Sequence, residues 1–175
     1  MISDGYSSWQ YGWLNSVVKA DKTSFSYDVS GQLASAGNEM FLWDNLALIE
    51  RGDTPILNTP AATGGNPLLT GKSLVFHDML GSSIGVFEGE RFTAFHRTGF
   101  GETETDIDIK LDYFTGKPRV PLLGHNFLLR NYNASMGKWM TSDPIGYPDG
   151  WNNLIYCLNS PSIQCDIIGG NVYVI

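Results

Sequence analysis

The sequence predicts a mainly β fold: an antiparallel meander of β-hairpins, followed by an irregular C-terminal segment with little helix. Apolar and polar side chains alternate over short runs such as "SFSY" (24–27), which is typical of strands. No stretch keeps apolar residues at the i, i+3, i+4, i+7 spacing of a helix over three turns. The 20 Gly and 8 Pro stand between these runs, where they favour tight turns.

An aromatic residue followed by Gly or Asp recurs every 16 residues, at Tyr11, Tyr27 and Trp43. A turn signal and then a Leu follow each of these dipeptides. Sixteen residues suffice for two short strands and two turns, so the spacing predicts a run of hairpins over 5–56.

The remaining chain divides by composition, although its length suits one domain over 1–175. Two Pro and three Gly predict a loop over 57–73. The region 74–113 reads as strands at 74–76, 84–87 and 91–95. From 114 to 170 the dense turn residues predict an irregular segment, with one short helix near 153–158.

The net charge of −7 disfavours a nucleic-acid partner, because phosphate backbones are bound mainly through Lys and Arg. The alternating acids of "GETETDID" (101–108) are interpreted as a solvated strand or loop in preference to a cation site. The N-terminus lacks the basic and apolar regions of a signal peptide, and no apolar run reaches the ~20 residues of a membrane span. We therefore expect a soluble, cytoplasmic chain.

The potential metal ligands follow no ligand spacing. Cys157 and Cys165 lack the paired motifs of a structural zinc site, so free thiols are expected, with a disulfide as the alternative. His77, His96 and His125 are scattered and are interpreted as separate strand residues. The sequence predicts no metal and no cofactor.

An ordered series of motifs resembles the Rhs/YD-repeat family, in particular its C-terminal repeat-associated core. The series covers most of 11–170 and comprises "SYDVSGQL", "FHDMLGSSIGVFEGE" with "GFGE", "FTGKP", "LLRNYNASMGKWMTSDPIG", "NNLIYCLNSP" and "DIIGG". In long members (bacterial polymorphic toxins, insecticidal toxin complexes and teneurins) the resemblance implies a sheet of hairpins that forms a hollow shell, closed by the core. In many bacterial members the core is also an aspartyl autoprotease that frees a C-terminal toxin.

Three departures limit what the resemblance implies. The repeats are too few to wind a closed shell, and only 171–175 follow "DIIGG", so no toxin payload is expected. The usual final Asp-Pro-x-Gly-Leu motif lacks its Pro and Leu here. We therefore expect a short stand-alone member.

Asp143 in "SDPIG" and Asp149 in "YPDGW" are the candidate catalytic carboxylates. Paired carboxylates share a proton and divide the roles of acid and base, which an aspartyl protease requires. Under that hypothesis Asp166, Gly169 and Gly170 form the cleavage region. The favoured interpretation is that both acids are turn residues, since Asp-Pro and Asp-Gly are common turn dipeptides.

The functional hypothesis is a non-enzymatic structural or protein-interaction module. Unpaired edge strands predict a homo-oligomer or another β-rich partner. The alternatives are a residual aspartyl autoprotease and a carbohydrate or small-ligand site on exposed aromatics. For that site the candidates are Trp9, Tyr6 and Tyr147, because Gly, Ser and Pro surround them.

Overall fold

The computed structural model describes residues 2–3, 8–60 and 65–174. Within them, twelve strands form one antiparallel sheet in which each strand pairs with its neighbours along the chain. This confirms the predicted mainly β meander. The strands are β1 (Ile2–Ser3), β2 (Ser8–Tyr11), β3 (Val17–Ala20), β4 (Thr23–Tyr27), β5 (Leu33–Ala36), β6 (Glu39–Asp44), β7 (Ala47–Arg51), β8 (Thr54–Asn58), β9 (Pro67–Thr70), β10 (Ser73–His77), β11 (Ser83–Glu88) and β12 (Arg91–Ala94).

Two-residue turns join alternate strand pairs along one side of this sheet. The first residue of each turn is left-handed, as the hairpin turn that matches strand twist requires. Gly supplies this conformation at four of these turns without steric cost. The residues and their φ angles are Asp21 (53°), Gly37 (59°), Gly52 (58°), Gly71 (60°) and Gly89 (61°).

A side-chain hydrogen bond recurs along the sheet at intervals of 16 and then 15 residues, at Tyr27, Trp43 and Asn58. Strands β4, β6 and β8 each have a register shift within their last three residues. The residue directly after the shift donates from its side chain to a backbone carbonyl ten residues earlier. The bonds are Tyr27 Oη to Val17 O (2.9 Å), Trp43 Nε1 to Leu33 O (2.7 Å) and Asn58 Nδ2 to Leu48 O (2.8 Å). Each bond ties a hairpin to the one before it.

A wider turn follows Tyr27, and a turn with the same hydrogen bonds follows His77. The Asp28 carboxylate accepts from the N–H groups of Ser30 and Gln32, at 2.8 and 2.9 Å. Asp78 accepts in the same way from residues 80 and 82. The turn after Trp43 differs, because Asp44 lies in β6 and only two residues, 45 and 46, link it to β7.

Two predicted elements differ from the structure. The loop predicted over 57–73 contains the end of β8 and all of β9, whose Pro67 occupies the first strand position, where a missing N–H is tolerated. The helix predicted near 153–158 is a single 3₁₀ turn at Cys157–Asn159. Its three residues have left-handed φ angles of 46°, 48° and 61°, so it does not continue as an α-helix.

The C-terminal segment forms two smaller antiparallel sheets. The strands are β13 (Tyr113–Phe114), β14 (Lys117–Val120), β15 (Gly124–Asn126), β16 (Asn131–Asn133) and β17 (Lys138–Trp139), then β18 (Gln164–Asp166) and β19 (Val172–Val174).

This segment covers the apolar face of the meander, which we call the inner face. Val120 and Leu123 are buried in one cluster with Phe25, Phe41 and Ile56 of the meander. A second cluster, formed within the segment itself, is mostly aromatic. Its members are Phe114, Phe127, Tyr132, Trp139, Tyr156 and Cys157. The inner face is therefore filled by the chain's own C-terminal residues.

Arg51 links the two parts. Arg51 is the last residue before a two-residue turn, and Ala20 and Ala36 occupy the equivalent positions before the two preceding turns on the same side of the sheet. Only 1% of the Arg51 surface is exposed. Its Nη1 donates to the carbonyls of Ile109 (3.2 Å) and Arg119 (2.9 Å). Its Nη2 lies 3.0 Å from a Glu39 carboxylate oxygen.

Candidate functional site

The most highly charged buried site in the C-terminal segment is centred on Arg130, in the loop between β15 and β16. The residue is 4% exposed, and its guanidinium lies over the Trp139 ring, 4.1 Å from the ring centroid. Its Nη2 lies 2.9 Å from Asp143 Oδ2 and 3.5 Å from Asp166 Oδ2. Asp143 and Asp166 are buried as well. We call these three residues the Arg130 cluster.

The other nitrogens of Arg130 bind backbone. Its Nε donates to the Gly169 carbonyl at 2.6 Å, and its Nη1 donates to the Asn153 carbonyl at 2.8 Å. Burial lowers the pKa of Arg130, and the carboxylates of Asp143 and Asp166 oppose that effect. The guanidinium thus joins four separate parts of the C-terminal segment at one point.

Asp166 ends β18 and caps the turn that follows it. Its Oδ1 accepts from the N–H groups of Gly169 (2.7 Å), Gly170 (3.0 Å) and Ile168 (3.2 Å). Burial raises the pKa of this carboxyl, although the three backbone hydrogen bonds and Arg130 lower it. Gly169 has a φ of +83°, and a Cβ there would lie 3.1 Å from Phe127 Cβ. The turn therefore requires glycine at that position.

Asp143 caps a turn in the same manner. Its Oδ1 accepts from the Ile145 N–H at 2.8 Å, while the Gly146 N–H donates to its backbone carbonyl at 3.2 Å. Pro144 occupies the second position of this turn, where its fixed φ is favourable. The other carboxylate oxygen remains free to face Arg130.

Of the two acids that the sequence suggested, Asp143 contacts Arg130 directly, whereas Asp149 acts on it only through its charge. Asp149 is half-buried, and its Oδ1 accepts from the Val172 N–H of β19 at 3.3 Å. Asp166, expected only as part of a cleavage region, is the acid that meets Asp143 at Arg130. Sequence reasoning missed Arg130 itself. The available signal was a lone Arg between the apolar and amide residues of "LLRNYN".

Chemically, the cluster can hold one peptide carbonyl against a cation. The carbonyl of Gly169 accepts from Arg130, so the peptide bond between Gly169 and Gly170 is polarised beside two carboxyl groups. The same arrangement also satisfies every charge by pairing, as buried charges in a folded protein require. It is compatible with a structural role and with peptide hydrolysis.

The aromatic candidates do not form one site. Trp9 packs against the inner-face cluster, while Tyr147 is 62% exposed and Tyr6 lies outside the described residues. Trp151, which sequence reasoning did not select, is 93% exposed and lies 5.7 Å from Tyr147 between ring centroids. A stacking ligand would therefore meet Tyr147 and Trp151 together.

A groove of about 430 Å³ separates the first wide turn from the C-terminal segment. The exposed ring of Trp13 and the side chain of Val29 form one side, and Leu128 and Leu129 lie on the other. Arg130 and Pro144 also line it, so the groove reaches the Arg130 cluster. Its walls are mainly apolar.

The histidines and cysteines remain separate. His125 is fully buried, and its Nδ1 lies 3.3 Å from the Lys117 carbonyl, whereas His96 is exposed. Both thiols are free in the structure. Within the described ranges, no three His, Cys, Asp or Glu residues are arranged to hold a metal ion. The same ranges contain no helix with the length and apolar character needed to cross a membrane.

Comparison with known proteins gives a likeness of fold alone. No family model and no curated protein matches the sequence. The crystal structure of TcdB2-TccC3 matches with a TM-score of 0.67 at 16% identity, over 94% of this chain and 10% of that chain. The Photorhabdus luminescens Tc holotoxin pore with a mutated TccC3 matches with a TM-score of 0.64 at 14% identity, over 95% of this chain and 10% of that chain.

A third structure, TcdB2-TccC3 without its hypervariable C-terminal region, matches with a TM-score of 0.64 at 17% identity, over 93% of this chain and 10% of that chain. The chain thus spans about a tenth of the length of these structures. At such identities the likeness establishes the fold, and membership of the repeat-associated core stays a prediction. The chain has the Rhs-like β fold of these TccC3-containing structures.

Proposed function

We propose that this chain is a non-enzymatic structural and protein-interaction module with an Rhs-type sheet, whose inner face is filled by the chain's own C-terminal segment. The observation that carries the proposal is the packing of Val120 and Leu123 among inner-face residues of the meander. Arg51 supports it, because its guanidinium donates from the sheet to two carbonyls of that segment. The likeness to one tenth of much longer chains is consistent with a terminal part of a larger assembly.

The partner in this proposal is another β-rich chain, and in the purified protein a second copy, that continues the sheet beyond β12. Among the described residues β12 pairs only with β11, so its other edge offers unpaired backbone groups. Phe95 N donates to Ile84 O at 2.8 Å. Because N–H groups alternate in direction along a strand, the Ala94 N–H lies on the free edge.

An apolar row on the outer face reaches the same edge. Leu57 lies opposite Leu69, Leu69 opposite Leu74, Leu74 opposite Phe87, and Phe87 opposite Phe92. These five side chains cross five strands in register. Leu57 is 58% exposed and Phe92 is 52% exposed. A contiguous exposed apolar row is typical of a contact surface, and it would continue across a strand added at β12.

The test is the molar mass in solution, by light scattering after size exclusion, of wild type and Ala94→Pro. Proline removes the free-edge N–H without removing a bond to β11. We expect wild type to associate and Ala94→Pro to be monomeric, with Ala94→Ser as the control that keeps the N–H. A wild-type monomer at concentrations near 100 µM, well above micromolar dissociation constants, would contradict self-association through this edge.

A second candidate function is residual autoproteolysis, which the 2.6 Å bond from Arg130 Nε to the Gly169 carbonyl specifically favours. Arg130 would stabilise negative charge on that oxygen while water adds to the carbonyl carbon. One carboxyl of the Asp143 and Asp166 pair would take a proton from the water. The other would protonate the Gly170 nitrogen as the peptide bond breaks.

Intact-mass measurement after prolonged incubation tests this candidate. Autoproteolysis predicts loss of residues 170–175 from wild type and from Asp149→Asn, and no loss from Asp143→Asn or Asp166→Asn. Asp149→Asn is the matched control because Asp149 accepts a hydrogen bond from the Val172 N–H and makes no direct contact with Arg130 among the described residues. Full-length mass in all four proteins would leave the Arg130 cluster with a structural role only.

A further inference from the structure

Lys117 is a buried amine that neither proposed function uses. It begins β14, and only 5% of its surface is exposed. Within the described residues its ammonium forms no ion pair and no hydrogen bond, although every other buried cation of the chain has at least one. Buried lysines without such partners are rare in folded proteins, because removing the charge from water is costly.

Lys117 lines a cavity of about 200 Å³ at the second wide turn. Leu80 and Ile167 give this cavity apolar walls, and Asn66 adds a polar side chain. Met79 also lines it but is 95% exposed, so the cavity is open to solvent on that side. Thr115 also lines the cavity, although its buried hydroxyl interacts with the hydroxyl of Tyr156. The volume corresponds to about six waters, which suits a molecule of a few carbon atoms. We call this the Lys117 cavity.

The charges around the amine do not neutralise it by direct contact. Asp166 and Cys165 also line the cavity, but the Asp166 oxygens are already occupied by three backbone N–H groups and Arg130. Burial lowers the pKa of Lys117 to about 8, and Asp166 and Cys165 only partly oppose this effect. At that pKa about one tenth of the amine is uncharged, and therefore nucleophilic, at pH 7.

We propose that the Lys117 cavity is a covalent binding site for small, uncharged aliphatic aldehydes. The lone pair of Lys117 Nζ attacks the carbonyl carbon, and the C=O electrons move to oxygen, which takes a proton to give a carbinolamine. Nitrogen then expels that oxygen as water and loses its remaining proton, leaving an imine. Solvent supplies the second proton of the departing water. No oxidant or reductant takes part.

The test uses the folded wild-type chain, butanal as the probe and cyanoborohydride as the trap at pH 7. Site-resolved mass spectrometry then gives the rate of butylation at each of the six lysines. At this pH an amine of pKa about 8 has about 300 times more of the neutral form than one of pKa 10.5. We expect Lys117 to react at least about tenfold faster than exposed Lys22, Lys72 and Lys138, after allowing for its lower nucleophilicity.

A variant that narrows the cavity separates access from general reactivity. Leu80→Trp should slow butylation of Lys117 at least about fivefold and leave the exposed lysines unchanged, because the larger ring occupies ligand space. Ser30→Trp is the matched control, since Ser30 holds the same position in the first wide turn. Butylation of Lys117 no faster than that of exposed lysines would overturn the proposal, as would equal effects of the two variants.

Discussion

At the scale of single residues, three successive hairpins of this chain share one part-buried side-chain hydrogen bond. Tyr27, Trp43 and Asn58 differ in shape but share a side-chain donor that reaches the carbonyl ten residues back. The repeat is therefore defined by this donor and not by aromatic character. Sequence reasoning found the first two members through their aromatic rings and missed Asn58, whose side chain has no ring.

His125 predicts a dependence of stability on pH. Burial is the main cause that lowers its pKa from 6.5 to about 4, while the charge of Asp112 raises it and that of Arg97 lowers it further. Below pH 6.5 His125 binds a proton in the unfolded chain, whereas in the folded chain it remains neutral until about pH 4. The contribution of neutral His125 to the free energy of unfolding is therefore complete above pH 6.5 and is lost as pH falls towards 4. The loss amounts to about 2 kcal/mol between pH 7.5 and 5.

Urea unfolding at pH 7.5, 6 and 5 checks this expectation with two variants. His125→Gln keeps a polar group near the Lys117 carbonyl but does not titrate, so its loss of stability over this range should be about 2 kcal/mol smaller. His96→Gln, at an exposed position, should retain the wild-type slope. Parallel pH profiles for wild type and His125→Gln would show that His125 is not the group responsible.

At the scale of elements, turns carry most of what the sequence predicted correctly. The turns after Tyr27 and His77 have the same pattern, in which an aspartate binds the N–H groups two and four residues ahead. The "WD" dipeptide at Trp43 matched the spacing, yet its turn has two residues where the wide turn after Tyr27 has five. A dipeptide specifies the aspartate but not the length of the turn, which depends on the next pairing partner.

The two wide turns predict a difference between aspartates that look alike in sequence. Asp78→Ala removes the acceptor for Leu80 and Ser82 N–H and should lower the free energy of unfolding by about 1–2 kcal/mol. Asp44→Ala removes only a hydrogen bond from the Asn45 side chain and should change the free energy of unfolding by less than about 0.5 kcal/mol. Chemical denaturation of both variants provides the measurement. Equal losses would mean that the wide turn adds no stability of its own.

The Arg130 cluster lay beyond sequence reasoning for a physical reason. Arg130 and Asp166 are separated by 36 residues, and their contact depends on how four parts of the C-terminal segment converge. Local patterns predict that Asp143 caps a turn, which it does. They do not predict which distant charge its second oxygen meets. Asp149 looked equivalent in sequence because it occupies a similar local turn.

At the scale of the whole molecule, the chain is an open sheet closed on one face by its own C-terminal segment. The outer face keeps its apolar row, and β12 keeps a free edge, so the meander is covered on one side only. Arg51 is the most informative residue in this arrangement. The two preceding hairpins have an alanine at the equivalent position. Arg51 instead donates to two carbonyls that lie outside the meander.

Arg51→Met should therefore weaken the attachment of the C-terminal segment more than the meander itself. The carbonyls of Ile109 and Arg119 would lose their shared donor, and the expected cost is about 2–4 kcal/mol of unfolding free energy. Hydrogen exchange should rise more in 108–123 than in 17–44, because the bonds of the early hairpins are untouched. Arg91→Met, at an exposed position of β12, is the control and should change neither quantity. A uniform rise in exchange over both regions would instead mean that the sheet and the segment unfold as one unit, and that Arg51 stabilises the whole molecule and not the attachment.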